Sequence, residues 1–438
     1  LSPAEAVAWL EAQSPSVIRL GLDRVHAALA ALKNPHTSYP TIQVAGTNGK
    51  GSTCAFAAAC LSAQGYKVGL YTSPHLERVN ERFQISRGVA VKPEDGPAAR
   101  RWTSEPISDE QLGQRILEVL AAVGPKPELT FFELGTVLAL WHFAQERVDV
   151  AVLETGLGGR LDAVTCSRPA VTVITPVSFD HIELLGNKLS LIATEKAGIL
   201  KPNVPVVVSR QAPEALEAIE TIARKVGAPV RLEGRDFHCE VEPDGKRFTY
   251  RGMRTSVRGL APGLRGPHQL QNATVAMAAL ELIEDRGLRI SQDNARAGLA
   301  GAQWPGRLEE IPGTPQIVLD GAHNPAGAAA LVAALDAVYP GRKLHLVFGV
   351  LADKDFRPMV QTLFPRCAAA YLTPIIGSPR SLDPAAYADA ARMVCRTVET
   401  FASPGLALAA ARAAAAPEDL VVCAGSLMLI GQVKEALG

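Results

Sequence analysis

With 438 residues and 47% apolar content, the chain is long enough for two or three domains with sizeable cores. Its 44 Lys+Arg balance its 44 Asp+Glu, so no overall field favours nucleic acid or an acidic membrane, and any basic site must be local. The 7 cysteines form no C-x-x-C pair, which argues against both a disulfide framework and structural zinc.

Residues 1–14 carry Glu5 and Glu11 and no basic stretch, unlike a secretory leader. No apolar run of about 18 residues is free of charge, so no membrane span is expected, and a cytoplasmic protein is. A β-branched run at 42–45 stops at Gly46-Thr47-Asn48-Gly49-Lys50-Gly51-Ser52-Thr53. An alanine-rich helix pattern, 52–64, begins at once and stops at Gly65. This is the layout of a phosphate-binding loop, in which backbone N–H groups and the positive helix end cradle phosphates. Lys50 would reach the β/γ-phosphates and the Ser52 hydroxyl would sit on Mg²⁺. The spacing departs from G-x-x-x-x-G-K-[ST], because Gly51 separates the lysine from the hydroxyl. An ordinary glycine-rich βα turn is the plain alternative.

Further strands are predicted at 67–71, 148–153, 171–175 and 204–209, with helices at 132–145 and 213–225. Pro213 suits a first helical turn, where its missing N–H costs nothing. Around 230–257 a turn signal, Glu242-Pro243-Asp244-Gly245-Lys246, predicts a small antiparallel patch, followed by a helix at 269–283. Prolines and glycines between Trp304 and Pro315 predict a linker. A second α/β series follows, with strands at 316–319, 344–350, 368–373 and 420–423 and an alanine-rich helix at 407–417. The expected fold class is therefore α/β. Residues 1–303 would form a P-loop domain with a doubly wound, mostly parallel sheet and a small antiparallel patch. Residues 304–314 would be a hinge, and 315–438 a C-terminal Rossmann-like domain. Two such units suggest a cleft that closes on ligand.

Five clusters fall at predicted strand ends, where open α/β sheets bind ligands. The phosphate loop is the first. Thr72-Ser73-Pro74-His75-Leu76 offers a hydroxyl for Mg²⁺ or phosphate, although Ser-Pro is common turn chemistry. Glu154 closes an apolar strand beside Gly156, Gly158 and Gly159, a setting that suits a hard cation, and Arg160 could pair with phosphate or a substrate carboxylate. A glycine turn with a solvated Glu–Arg pair is the alternative. Asp180-His181 offers an imidazole that can ligate a metal. Lys196 follows nearby; it would suit a metal cluster only as a carbamate, and a solvated helix lysine is the default. Asp320-Gly321-Ala322-His323-Asn324-Pro325 is the second domain's βα turn. There Asp320 could bind a ribose hydroxyl or, with Asn324, simply cap a helix.

These motifs in this order closely resemble the bacterial folylpolyglutamate synthase / dihydrofolate synthase family of the Mur ligase superfamily. Leu-Thr-Phe-Phe-Glu at 129–133, Glu195-Lys196-Ala197-Gly198-Ile199 and Pro-Gly-Arg-Leu-Glu at 305–309 complete the set. The match runs from about residue 20 to Ser426. The resemblance implies that MgATP phosphorylates a carboxylate and that L-glutamate attacks the acyl phosphate, releasing ADP and phosphate. The carboxylate would be that of dihydropteroate or of a reduced folate, and both activities are expected.

By the same resemblance, Lys50, His181 and Lys196 would be catalytic. Gly46, Thr47, Asn48, Gly49, Lys50, Gly51, Ser52, Thr53, Asn272, Arg307, Asp320 and His323 would bind ATP. Ser52, Ser73, Glu154, His181 and a carbamylated Lys196, its carbamate derived from CO₂, would hold two Mg²⁺ ions, with K⁺ as a further cation. Phe131, Phe132, Glu133 and Arg160 would face the pterin or folate. No nucleic-acid or membrane partner is implied, and a monomer is expected.

Two features depart from the family pattern. Val164-Thr165 stands where Thr-Asn is usual, and the Arg- and Pro-rich segment 86–108 does not align, reading as a solvated insertion or a substrate-side loop. Other Mur ligases usually carry an extra N-terminal domain, for which about 40 residues before the loop are too few. A P-loop kinase or nucleotide switch is the rival from another class. Neither would need the second-domain motif together with Glu154, His181 and Lys196.

Overall fold

The structure, a computed structural model, describes residues 1–13, 19, 21–88, 102–125 and 127–437. Most of the unaligned segment, residues 89–101, lies outside them, as does residue 20, where the family resemblance begins. The chain divides into two compact units. The first comprises 1–177, 187–263 and 270–302; the second comprises 178–186, 264–269 and 303–438.

The first unit holds an eight-stranded sheet. Its strands are β1 Thr41–Ala45, β2 Val68–Tyr71, β3 Phe83–Gly88, β4 Trp102–Pro106, β5 Val150–Glu154, β6 Pro169–Ile174, β7 Val206–Val208 and β8 Val230–Leu232. They lie in the order β4-β3-β2-β5-β1-β6-β7-β8. Only the β2–β3 and β3–β4 pairings are antiparallel; the others are parallel. The parallel strands β1, β5 and β6 are buried along their whole length, which is why they read as unbroken apolar runs.

The helix after β1, Lys50–Gln64, is buried at every position from Gly51 to Ala63. Its alanine, cysteine and serine side chains are short enough for it to sit inside the protein. The amphipathic helix Asp109–Val123 and the largely buried helix Phe131–Gln145 cover the other side of this core with Leu112, Ile116, Leu134 and Phe143. A separate antiparallel sheet consists of β9 His238–Val241, β10 Phe248–Arg251 and β11 Ser256–Leu260. The expected patch therefore starts later than residue 230, because Val230–Leu232 joins the large sheet as β8.

The second unit holds β12 Glu309–Ile311, β13 Gln316–Leu319, β14 Leu344–Phe348, β15 Ala369–Leu372, β16 Thr397–Thr400 and β17 Leu420–Ala424, in the order β12-β13-β17-β14-β15-β16. All pairings are parallel except β12–β13. The stretch expected to be plain linker therefore contains an edge strand. Its core is built from Leu331, Leu346, Phe348, Leu363, Tyr387 and Val422. The predicted 407–417 helix runs over Pro404–Ala414 instead, capped by the Ser403 hydroxyl. Among the described residues, no helix is long and apolar enough to cross a membrane.

Candidate active site

In the first unit the phosphate loop leaves β1 at Gly46. The amides of Thr47 and Asn48 both donate to the Pro176 carbonyl, at 3.0 and 3.3 Å. These two N–H groups anchor the loop. The donors left for an anion are those of the first helical turn, Lys50 to Ser52, which have no i−4 carbonyl by helix geometry. Gly49 is the N-cap in the left-handed region, at φ 85°, and a Cβ there would lie 2.3 Å from the Asn272 amide oxygen. The extra glycine Gly51 falls inside the buried first turn.

Lys50 Nζ donates to the Thr47 carbonyl at 3.2 Å and lies 3.9 Å from Glu154 Oε1. Glu154 Oε2 accepts the Ser73 amide at 3.2 Å. Three strand ends, those of β1, β2 and β5, thus bring Lys50, Ser73 and Glu154 together. Lys196, on the helix Leu189–Ala197, is buried and donates to the Gly46 carbonyl at 2.7 Å. Gly159 makes that approach possible, since a Cβ on it would lie 2.7 Å from the carbonyl oxygens of both Glu195 and Lys196.

The glycine loop after β5 is organised by Asp162. Its carboxylate accepts the amides of Gly156 and Leu157 at 2.9 Å and of Val164 at 3.0 Å. Burial nevertheless pushes the carboxyl up to about 6. Thr165, the departure from the family pattern, donates to the Gly159 carbonyl at 2.6 Å and accepts from Gln43 Nε2 at 3.0 Å, so its hydroxyl ties the loop to β1. Arg160 pairs with Glu195, with Nη2 2.9 Å from Oε1.

Glu133 closes a capping box with Thr130 and binds Arg24 Nη2 at 2.7 Å. These bonds give it a structural role that the motif did not reveal. Phe132 lies 6.2 Å from the Tyr71 ring, centroid to centroid. Phe131 is buried beneath the guanidinium of Arg82, a residue sequence reasoning missed.

The second unit has its own polar cluster. Asp180 Oδ1 accepts Lys354 Nζ at 2.5 Å and the His181 amide at 2.9 Å. Its Oδ2 accepts Asn324 Nδ2 at 3.1 Å and lies 3.5 Å from His323 Nε2. Burial opposes ionisation of Asp180, but the His323 hydrogen bond and the Lys354 charge outweigh it and hold the carboxyl well below its usual range.

His181 takes a left-handed conformation, at φ 49°. Lys354 Nζ lies 3.2 Å from its Nε2, which must then be the accepting nitrogen. Burial and the Lys354 charge lower this imidazole to about 4. Lys354 lies 174 residues beyond Asp180 and carried no motif signal. Asp320 accepts the amides of Leu308 and Ala322, both at 2.9 Å, and so fixes the Arg307–Leu308 turn. Asn324 caps the helix Pro325–Val338. Among the described residues, no three His, Cys, Asp or Glu side chains are gathered as a ready-made metal site.

The Mur ligase middle domain family matches residues 107–280, and the Mur ligase glutamate ligase domain family matches residues 306–427. Folylpolyglutamate synthase of Lacticaseibacillus casei is 35% identical over 424 residues, 94% of each chain. The structure of Escherichia coli FolC in complex with DHPP and ADP superposes with a TM-score of 0.87 at 32% identity, covering 100% of this chain and 98% of that one. The bifunctional folylpolyglutamate synthase/dihydrofolate synthase of Yersinia pestis, complexed with AMPPNP and Mn ion, gives 0.85 at 31%, covering 100% and 98%. With its strand-end motifs in place and likeness over nearly its full length, the chain belongs to the folylpolyglutamate synthase/dihydrofolate synthase family of ATP-dependent folate–glutamate ligases.

Proposed function

We propose that this enzyme adds L-glutamate both to dihydropteroate and to reduced folates. The observation that carries the reading is the meeting of Lys50, Glu154 and Ser73 at three adjacent strand ends, with Lys196 bonded to the loop they share. A substrate carboxylate oxygen attacks the γ-phosphorus of ATP, the bond to the β-phosphate oxygen breaks, and ADP leaves. The glutamate amine then attacks the acyl carbon, loses a proton and expels phosphate. Lys50 and the first-turn amides hold the transferring phosphoryl charge. Asn272, Arg307, Asp320 and His323 serve the nucleotide, and Phe132 the pterin side.

Glu154 with the hydroxyls of Ser73 and Ser52 is a hard oxygen donor set. It fits Mg²⁺, which is commonly held by one or two carboxylates and the substrate's phosphates. When bound, magnesium supplies charge neutralisation between the two anions. His181 would contribute from the second unit's cluster. Lys196 fits as a carbamate, because a carbamate nitrogen keeps one hydrogen and so retains its bond to Gly46. The enzyme would act in the cytoplasm.

A second reading, polyglutamylation alone, is favoured by the 35% identity to the L. casei folylpolyglutamate synthase. Dihydropteroate labelled with ¹⁸O in its carboxylate tests the proposal. One labelled oxygen should appear in the released phosphate. Unlabelled phosphate alongside dihydrofolate would reject the acyl-phosphate route, and no dihydrofolate at all would leave polyglutamylation alone.

A further inference from the structure

Arg82 ends the short helical turn Val79–Arg82 in the first unit and is only 7% exposed. Its Nε donates to His75 Nδ1 at 2.9 Å, and its guanidinium carbon lies 5.0 Å from the centre of the Phe131 ring. The Tyr71 hydroxyl is beside it. Among the described residues, its side chain donates to an imidazole and forms no close ion pair, with the Glu154 and Glu81 charges acting on it from farther away. A buried guanidinium without a directly bonded anion is unfavourable, because its lost hydration is only partly replaced.

The surroundings fix the group without giving it a direct ion pair. His75 must present a bare Nδ1 to accept from Arg82. Phe131 covers one face of the guanidinium, so this ring is a seat for Arg82. The Arg82 carbonyl accepts the Thr72 amide at 3.3 Å, which ties it to the turn that carries Ser73. Ser73 in turn reaches Glu154. The guanidinium fork is therefore fixed near the reacting end of the first unit, with donors to spare beyond His75 and Tyr71.

We propose that Arg82 receives the carboxylate of the pterin-bearing substrate, an assignment that rests on the ligase reading above. That carboxylate must approach the negative Glu154 to be phosphorylated, and a planar fork matches its two oxygens. The chemical class selected is a pterin bearing an aryl or glutamyl carboxylate, over a pterin with none.

Calorimetric titration of the ADP-loaded enzyme with dihydropteroate, and with 6-hydroxymethylpterin, which lacks the carboxylate, tests the assignment. Arg82→Gln should weaken dihydropteroate about ten- to hundredfold, as for loss of a charged hydrogen bond, and leave 6-hydroxymethylpterin unchanged. With Arg82 intact, His75→Leu should also weaken dihydropteroate selectively. His75→Asn, which keeps an accepting atom for Arg82, should restore it. Equal losses for both pterins, or no loss for either, would overturn the assignment. Wild-type enzyme that binds neither dihydropteroate nor a reduced folate would overturn the ligase reading itself.

Discussion

Lys354 Nζ lies 2.5 Å from Asp180 Oδ1, with side chains only 6% and 8% exposed. With His181 neutral near pH 7, Lys354 is the standing cation of this cluster. Lys354→Met leaves the Asp180 charge buried with one counter-charge fewer. It should destabilise the second unit by about 3–5 kcal/mol. Adding Asp180→Asn should recover most of that loss, as read by urea unfolding. A Lys354→Met protein as stable as wild type would show that the pair carries no stability.

Acid should destabilise the first unit earlier than ordinary histidines would. Burial holds His75 and His142 at about 4, against 6.5 in the unfolded chain. Between those values the unfolded state binds more protons, so stability falls as pH drops from 6.5 toward 4. Asp162 has the opposite sign: raised to about 6, it favours the folded state as pH falls below that value. Two histidines outweigh one carboxyl, so urea midpoints should decline from pH 7.5 to 5. Among the described residues, neither ring nitrogen of His142 meets a hydrogen-bond partner. His142→Leu should therefore flatten the acid limb, and an unchanged limb would contradict this account.

The strands that read correctly from sequence are those buried on both faces, such as β1, β5, β6 and β17, whose apolar runs leave little ambiguity. Those missed lie at sheet edges, are very short, or carry several polar residues. In β16 no residue is fully buried, β12 is three residues inside a Pro/Gly stretch, and β3 carries Gln84, Ser86 and Arg87. Edge strands carry charge for solubility, and this hides their periodicity. The loop motifs were legible because glycines and strand ends mark them locally. Their partners were not. Arg24 meets Glu133 across 109 residues, and Lys354 meets Asp180 across 174; nothing local encodes either pairing.

Gly159→Ala would push a Cβ to 2.7 Å from two backbone carbonyls, those of Glu195 and Lys196. Neither oxygen can swing away as a side chain would. The substitution should cost about 1–3 kcal/mol and lower turnover by displacing Lys196. Melting temperature and kcat, measured together, check this. A variant with wild-type values for both would show that the helix yields freely.

Lys196→Ala should reduce turnover by at least about a hundredfold if a carbamate there serves the metal, at the upper end of the losses seen when a metal site loses supporting groups. An independent readout is ¹³C NMR of enzyme equilibrated with labelled bicarbonate. Wild type should show a carbamate resonance that Lys196→Ala lacks. Identical spectra from the two proteins would remove the carbamate from the account.

The central claim is that the phosphoryl group held at Lys50 is meant for a substrate carboxylate and not for water. ADP release by the purified enzyme with MgATP, measured with dihydropteroate and L-glutamate added singly and together, tests it most directly. The account predicts little release with either alone and stoichiometric ADP, phosphate and dihydrofolate with both. ATP hydrolysis at the same rate whether or not the two acceptors are present would contradict it.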